Sequence, residues 1–421
     1  MKFIADFHLH SKYSRATSKD MNLESLDKWA RIKGLNVLGT GDFTHPEWFR
    51  SLKENLTPAE PGLYKLKSGS ETRFVLTSEI SCIYTKNLPA GSQGNKVRKI
   101  HVLIFAPSLE IVEKINARLN SIGNIKSDGR PILGLDVKEL AKIVLGISQD
   151  CFIVPAHAWT PWFSIFGSKS GFDSIEECFE EYSKYIYAIE TGLSSDPLMN
   201  WRLSALDKVA LISNSDAHSP RKLGREANVF DTNLSYDAIV GAIKSKDPKK
   251  FLYTIEFFPE EGKYHYDGHR TCGISLTPSE SKKYNNICPT CGKPLVIGVM
   301  NRVESLADRK QGFHPNGAIP FKSLVPLEEI IAESLGVTTA SKRVGIEYNN
   351  LIKKLGSELN ILLEASKQDL IGATLPEIAE GIIRVREGKV SITPGYDGVY
   401  GKVSIFSKNE RKKLAKQGTL I

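Results

Sequence analysis

Residues 2–11 read KFIADFHLHS. Apolar positions crowd the first half, and two imidazoles stand two apart at its end. In an extended strand, residues two apart face the same side, so His8 and His10 point together. A buried strand ending on paired histidines directs attention to the ends of the other strands.

Short apolar runs recur along the first 258 residues, at 35–40, 73–76, 99–105, 151–155, 186–189 and 209–213. Stretches with helical spacing separate many of them, at 23–33, 109–120, 136–145 and 197–207. Repeated strand–helix alternation predicts an α/β fold built on a parallel sheet. Seven such strands suggest a barrel, and a doubly wound sheet fits the same pattern.

Six of the nine histidines fall in these strands or just past them. His8 and His10 end the first and His45 follows the second, in GDFTHP. His101 lies in KIHVLIF, His157 ends IVPAHAW, and His218 ends ISNSDAH. Acidic residues accompany them: Asp42, Glu79, Glu190 and Asp216. In a parallel barrel the C-terminal strand ends converge on one rim, so such a set forms one site. Imidazole with carboxylate suits zinc, manganese or iron. Two or three ions would bind both the attacking and the leaving oxygen of a phosphoryl group. Serine hydrolase chemistry is the rival, but no GxSxG turn is present.

Later in the chain, His269-x2-Cys272 and Cys288-x2-Cys291 form two chelating pairs across a polar loop. Thiolate-rich four-coordination predicts a structural zinc ion. His265 competes with His269 for the fourth position. Residues 259–312 are short of periodicity and form a zinc-binding module; residues 313–421 are mainly helical, with apolar periodicity at 327–335, 341–355 and 375–386.

The 421 residues suffice for two or three domains. Hydrophobic residues make up 41% and charged residues 25%, which argues against disorder. No run approaches a membrane span, and the N-terminus has no signal-peptide design, so a cytoplasmic location is expected. The net charge of +8 allows an anionic partner. It divides as +3 over residues 1–258, +2 over 259–312 and +3 over 313–421. More than half thus lies in the accessory regions.

The segments HLHS, GTGDFTH, TSEIS, IHVLIF, PAHAW and SDAHS resemble the polymerase-and-histidinol-phosphatase (PHP) metal domain, a distorted seven-stranded β/α barrel. Together with PWFSIFGSKSGFDS, GKYHYDGHRTCG, CPTCGKPL and NRVESLADR, they resemble endonuclease Q, a prokaryotic DNA-repair family. The resemblance covers nearly the whole chain. It implies a barrel (1–258), the zinc module (259–312) and a helical DNA-binding domain (313–421). It also implies hydrolysis, by metal-activated water, of the phosphodiester 5′ of a deaminated base such as uracil, hypoxanthine or xanthine, and of abasic sites. The products would be a 3′-hydroxyl and a 5′-phosphate, and the setting a prokaryotic nucleoid.

By the same resemblance, His8, His10, Glu79 and Asp216 hold one catalytic metal (Zn, Mg or Mn), with Glu79 bridging. Glu79, His101 and His157 hold a second, and His218 with Asp42 or His45 a third. Glu79, Asp216 and His218 would act in catalysis. The chain departs from the pattern in two places. SKYSRATSKD lacks the histidine many members carry after HxH, and Asp42 and His45 are more widely spaced than the usual adjacent pair.

DNA contacts are expected from Arg15 and from the loop after His157, with Trp162, Phe166, Gly167, Ser168, Lys169 and Ser170. Aromatic faces there can stack on bases, and the Gly/Ser/Lys run can meet phosphate. Tyr396 and Tyr400 in GYDGVYG are either a base platform or hairpin packing. Gln417-x2-Leu420 resembles the start of a sliding-clamp-binding box, without its aromatic pair. Two other functions fit part of the pattern: a small-molecule phosphoesterase of the histidinol-phosphatase type, and a non-catalytic DNA-damage binding module.

Overall fold

The computed structural model describes residues 1–87, 95–407 and 410. Its centre is a mixed sheet of eleven strands. The Lys2–Asp6 strand lies inside it, parallel to Val37–Gly39 and antiparallel to Ala227–Asp231. Val37–Gly39 in turn runs parallel to the start of Arg73–Asn87. Only glycine fits at position 39, because a Cβ there would fall 2.1 Å from the Phe7 carbonyl oxygen.

From Arg73–Asn87 the sheet departs from the all-parallel expectation. Arg73–Asn87 and Asn95–Ala106 form a long antiparallel ribbon, which places Ser81 opposite His101. Phe152–Pro155 continues antiparallel to it. Ala188–Glu190 and Ala210–Ile212 form a separate parallel pair. The seven expected strands are thus present, but hydrogen bonding among the described residues divides them between the large mixed sheet and that parallel pair. A parallel bridge between Leu9 and Ala217 draws the ends of the first and last together.

The helices on the sheet follow their sequence signals. Leu23–Lys33 starts at Asn22, whose side chain accepts from the Ser25 amide, and stops at Gly34 with φ 88°. Leu109–Asn120 and Val137–Ile147 are capped by Ser108 and Asp136. The single helix expected at 197–207 is instead Pro197–Asn200 followed by a 3-10 turn, Ser204–Lys208. The Arg202 carbonyl accepts from the Asp308 and Arg309 amides, and Ser204 bonds Asp308, so a tertiary contact replaces the helical ladder.

Residues 259–312 hold a hairpin, Asp267–His269 and Ile274–Leu276, with the helices Pro278–Lys283 and Val299–Leu306. Phe321–Ser323 pairs in parallel with Phe251–Glu256, so the central sheet extends into the region assigned to residues 313–421. Five helices follow between Leu327 and Arg386, then the hairpin Ser391–Thr393 with Lys402–Ser404. Their apolar faces join the same continuous core as the helices over the sheet. Among the described residues, no helix is long and apolar enough to cross a membrane.

Candidate metal centre

His8 and His10 are fully buried. Each ring is fixed from behind by a buried carboxylate. His8 Nδ1 lies 3.0 Å from Glu190 Oε2, and His10 Nδ1 lies 3.0 Å from Asp42 Oδ1. Both Nε2 atoms therefore face inward. His8 Nε2 is 3.4 Å from Glu79 Oε2 and 3.7 Å from Asp216 Oδ1; the His10 distances are 3.2 and 3.1 Å. These atoms are close, yet the two Nε2 atoms and Asp216 Oδ1 make no hydrogen bond. Buried polar atoms left unsatisfied while converging on one point are costly unless something fills it. The set fits a divalent cation in donor type and arrangement.

A second group shares Glu79. Its Oε1 is 2.7 Å from His101 Nδ1 and 3.1 Å from His157 Nε2. Each Glu79 oxygen thus faces a different group, the arrangement of a bridging carboxylate. Both sets, His8/His10/Glu79/Asp216 and Glu79/His101/His157, keep their donor atoms within 4.8 Å. Two opposing influences act on each of His8 and His10. Burial opposes their charge, but Glu190 and Glu79 for His8, and Asp42, Asp216 and Glu79 for His10, hold both well above the imidazole range. Against its own burial, His101, Arg130 and His8 hold Glu79 well below the carboxylate range.

Three residues at the centre have left-handed backbones: Asp42 (φ 47°), His157 (φ 29°) and Asp216 (φ 47°). Such conformations cost about 1–3 kcal/mol each and concentrate at functional sites.

The third set does not assemble among the described residues. Both Asp42 oxygens are already used, by His10 Nδ1, by the amide and hydroxyl of Ser11, and by the Ser14 hydroxyl. Asp42 therefore orients His10. His45 stacks on Tyr13 with ring centroids 4.4 Å apart. His218 packs on His10, and its Nδ1 lies 2.9 Å from the Asp216 carbonyl, which leaves Nε2 at the rim. Sequence reasoning missed Arg130, whose Nη1 lies 3.1 Å from Glu79 Oε2. Its only local signal is a turn, SDGRP, which says nothing of its partner.

The loop after His157 divides. Trp162 is exposed and meets Tyr264 edge-on. Phe166 is buried against Trp159 and belongs to the core, contrary to the expected DNA contact. Gly167 and Ser170 are buried, and the amides of Gly167 and Lys169 bond carbonyls of their own loop. Those two amides are occupied within the loop. Ser168 is half-buried, and the Lys169 side chain is exposed. Arg15 is exposed and meets Asp128 at 3.2 Å.

A cleft of about 860 Å³ opens beside the centre, lined by Trp162, Phe163, Arg225, Tyr264, His265 and Tyr400 among others. Phe163 packs on His101 with centroids 4.7 Å apart, so the cleft adjoins the second group. Tyr400 stands at this cleft, exposed. Tyr396 instead packs on the Asp267–His269 strand, its ring where a Gly268 side chain would otherwise sit. The two tyrosines thus divide, Tyr396 packing inward and Tyr400 facing the cleft.

His269, Cys272, Cys288 and Cys291 place their donor atoms within 4.8 Å, and His265 is not among them. Gly273 and Gly292, at φ 66° and 70°, turn the two knuckles. Four donors with no open position fit a structural ion. The clamp-box residues Gln417 and Leu420 lie outside the described residues.

A mixed α/β scaffold thus carries a buried histidine–carboxylate centre and a separate group of one histidine and three cysteines, both with the donor types of metal sites. Residues 326–389 match the family described as the MJ0043 C-terminal domain. The chain superposes with a TM-score of 0.85 and 31% identity on the lesion-specific endonuclease PfuEndoQ from Pyrococcus furiosus, over 100% of both chains. It superposes comparably on endonuclease Q bound to a 27-mer duplex with an abasic lesion at the active site (TM-score 0.83, 32% identity, 97% of this chain and 98% of that one). The chain belongs to the endonuclease Q family. It is also 35% identical to the MJ0043 protein of Methanocaldococcus jannaschii over 62% of its own length, and spans 32% of that longer relative.

Proposed function

We propose that this chain is a DNA-repair endonuclease that hydrolyses the phosphodiester 5′ of damaged positions. Its targets are deaminated bases (uracil, hypoxanthine, xanthine) and abasic sites. The observation that carries this reading is the convergence of His8 Nε2, His10 Nε2 and Asp216 Oδ1, unsatisfied and buried, next to an aromatic cleft. Divalent zinc, magnesium or manganese, when bound, would supply Lewis acidity and a more acidic water.

The remaining work falls to the chain. Glu79 ties the two halves of the centre, and Glu190 and Asp42 fix the histidine rings. His218, at the rim beside Asp216, can take up or release a proton at Nε2. Trp162, Tyr264 and Tyr400 offer faces for a base turned out of the stack. A deaminated base presents a carbonyl where the parent base presents an amine, so its reader must donate there. A parent base would set donor against donor, at about 1–3 kcal/mol. Residues 1–258 act as a PHP-type metal domain, and residues 259–312 and 313–421 hold the duplex.

The test is incubation with manganese or magnesium and duplexes carrying one uracil, hypoxanthine or abasic site. We expect a nick 5′ of the lesion and an end that a polymerase extends. Asp216→Ala and Glu79→Ala should abolish it while sparing the fold. Absence of a nick on all three duplexes overturns the reading, and turnover of a phosphomonoester instead favours the small-molecule phosphoesterase.

A further inference from the structure

Arg130 sits on a loop pinned at every residue. Its amide lies 3.1 Å from Asp128 Oδ1, the Gly129 amide donates to the Tyr13 carbonyl, and the Ser81 amide donates to the Pro131 carbonyl. The Thr44 hydroxyl donates to the Gly129 carbonyl. Gly129 has no room for a side chain, since a Cβ would fall 2.3 Å from Asp42 Oδ2 and 2.4 Å from Ser14 Oγ. The loop is thereby pressed against the carboxylate that orients His10.

From this support the guanidinium reaches Glu79 Oε2, the same oxygen that faces His8 and His10. One of its five N–H groups is used there. Among the described residues Nε and Nη2 meet no acceptor, and the side chain remains 27% exposed. A guanidinium held rigidly at an anionic centre, with donors left over toward solvent, is arranged to receive an anion in a forked contact.

We propose that Arg130 is a catalytic residue that grips a non-bridging oxygen of the scissile phosphate, where negative charge grows as the bond breaks. This rests on the nuclease reading above. A fixed donor aimed at developing charge contributes on the order of 10²–10³-fold in rate. A purely structural Arg130 would instead hold Glu79 in place, and its loss would empty the metal centre.

The experiment compares wild type, Arg130→Ala and Arg130→Lys on one lesion duplex, together with metal content by mass spectrometry and duplex affinity in calcium. For Arg130→Ala we expect kcat to fall on the order of 10²–10³-fold, with metal content unchanged and affinity within about threefold. Added guanidinium should restore Arg130→Ala at least tenfold and leave wild type unaffected. A rate within threefold of wild type overturns the proposal, and so does loss of metal in parallel with loss of rate, or failure of guanidinium to rescue. Wild-type protein that nicks no lesion overturns the nuclease reading itself, before any variant is compared.

Discussion

Lys33 Nζ lies 2.5 Å from Glu358 Oε2, with both side chains only 5% exposed. Lys33 ends the first helix of the N-terminal region, and Glu358 begins a helix of the C-terminal region. Glu358 also accepts from the Leu327 amide and the Tyr348 hydroxyl. The two regions are therefore keyed together by a buried ion pair whose carboxylate is also hydrogen-bonded.

Breaking that pair from one side should be costly. Lys33→Met leaves the Glu358 charge buried without its counterion, and losses of about 3–5 kcal/mol are usual. Pairing Lys33→Met with Glu358→Gln removes the stranded charge and should recover part of the loss. Chemical denaturation of the three proteins tests this. Equal stability of Lys33→Met and wild type would refute it.

Much of the centre was legible because its residue types are rare at strand ends. His8, His10, His101, His157 and Asp216 stand where apolar runs stop or cross, and no core needs them there. The pairing of Arg73–Asn87 with Asn95–Ala106 was not legible, since period-two alternation is the same in parallel and antiparallel neighbours. Phe166 misled for a related reason: an aromatic in a long loop reads alike whether it packs inward or faces DNA. Arg130 and Asp42 depend on contacts 51 and 32 residues away, which local pattern does not carry.

Asp42 gives the second prediction. It holds His10 without occupying a ligand position, so Asp42→Asn should weaken metal binding without abolishing it. Partners that orient ligating histidines typically contribute about 10–100-fold in affinity. Asp216→Ala, which removes an inward-facing oxygen, should lose more. Titration of the metal-free protein with manganese orders the two variants. An equal or greater loss in Asp42→Asn would make Asp42 a ligand after all.

The third prediction separates the two candidate zinc histidines. His269 shares the donor group with three cysteines, while His265 is buried at the cleft, its pKa pushed down to about 4 by burial. His269→Ala or Cys288→Ser should release a zinc ion and lower Tm. His265→Ala should keep that ion. Zinc content of each purified variant decides, and retention in His269→Ala refutes the assignment.

The last prediction concerns pH. Glu256 is fully buried between two threonine hydroxyls, with Thr254 Oγ1 and Thr191 Oγ1 at 2.5 and 2.9 Å. Burial pushes its pKa up to about 8 from an ordinary 4.5. The folded protein therefore keeps the proton across a range in which the unfolded chain has lost it. Stability from this group is complete below about pH 4.5, falls as pH rises toward 8, and is flat beyond. Glu256→Gln fixes the neutral form at nearly the same shape. The variant should match wild type near pH 5 and exceed it above pH 8, by about 2 kcal/mol or more, a shift of a few degrees in Tm. Thermal unfolding from pH 5 to 9 measures the divergence. A variant that stays below wild type throughout, or whose curve runs parallel to it, would show that the carboxyl is ionised in the folded state.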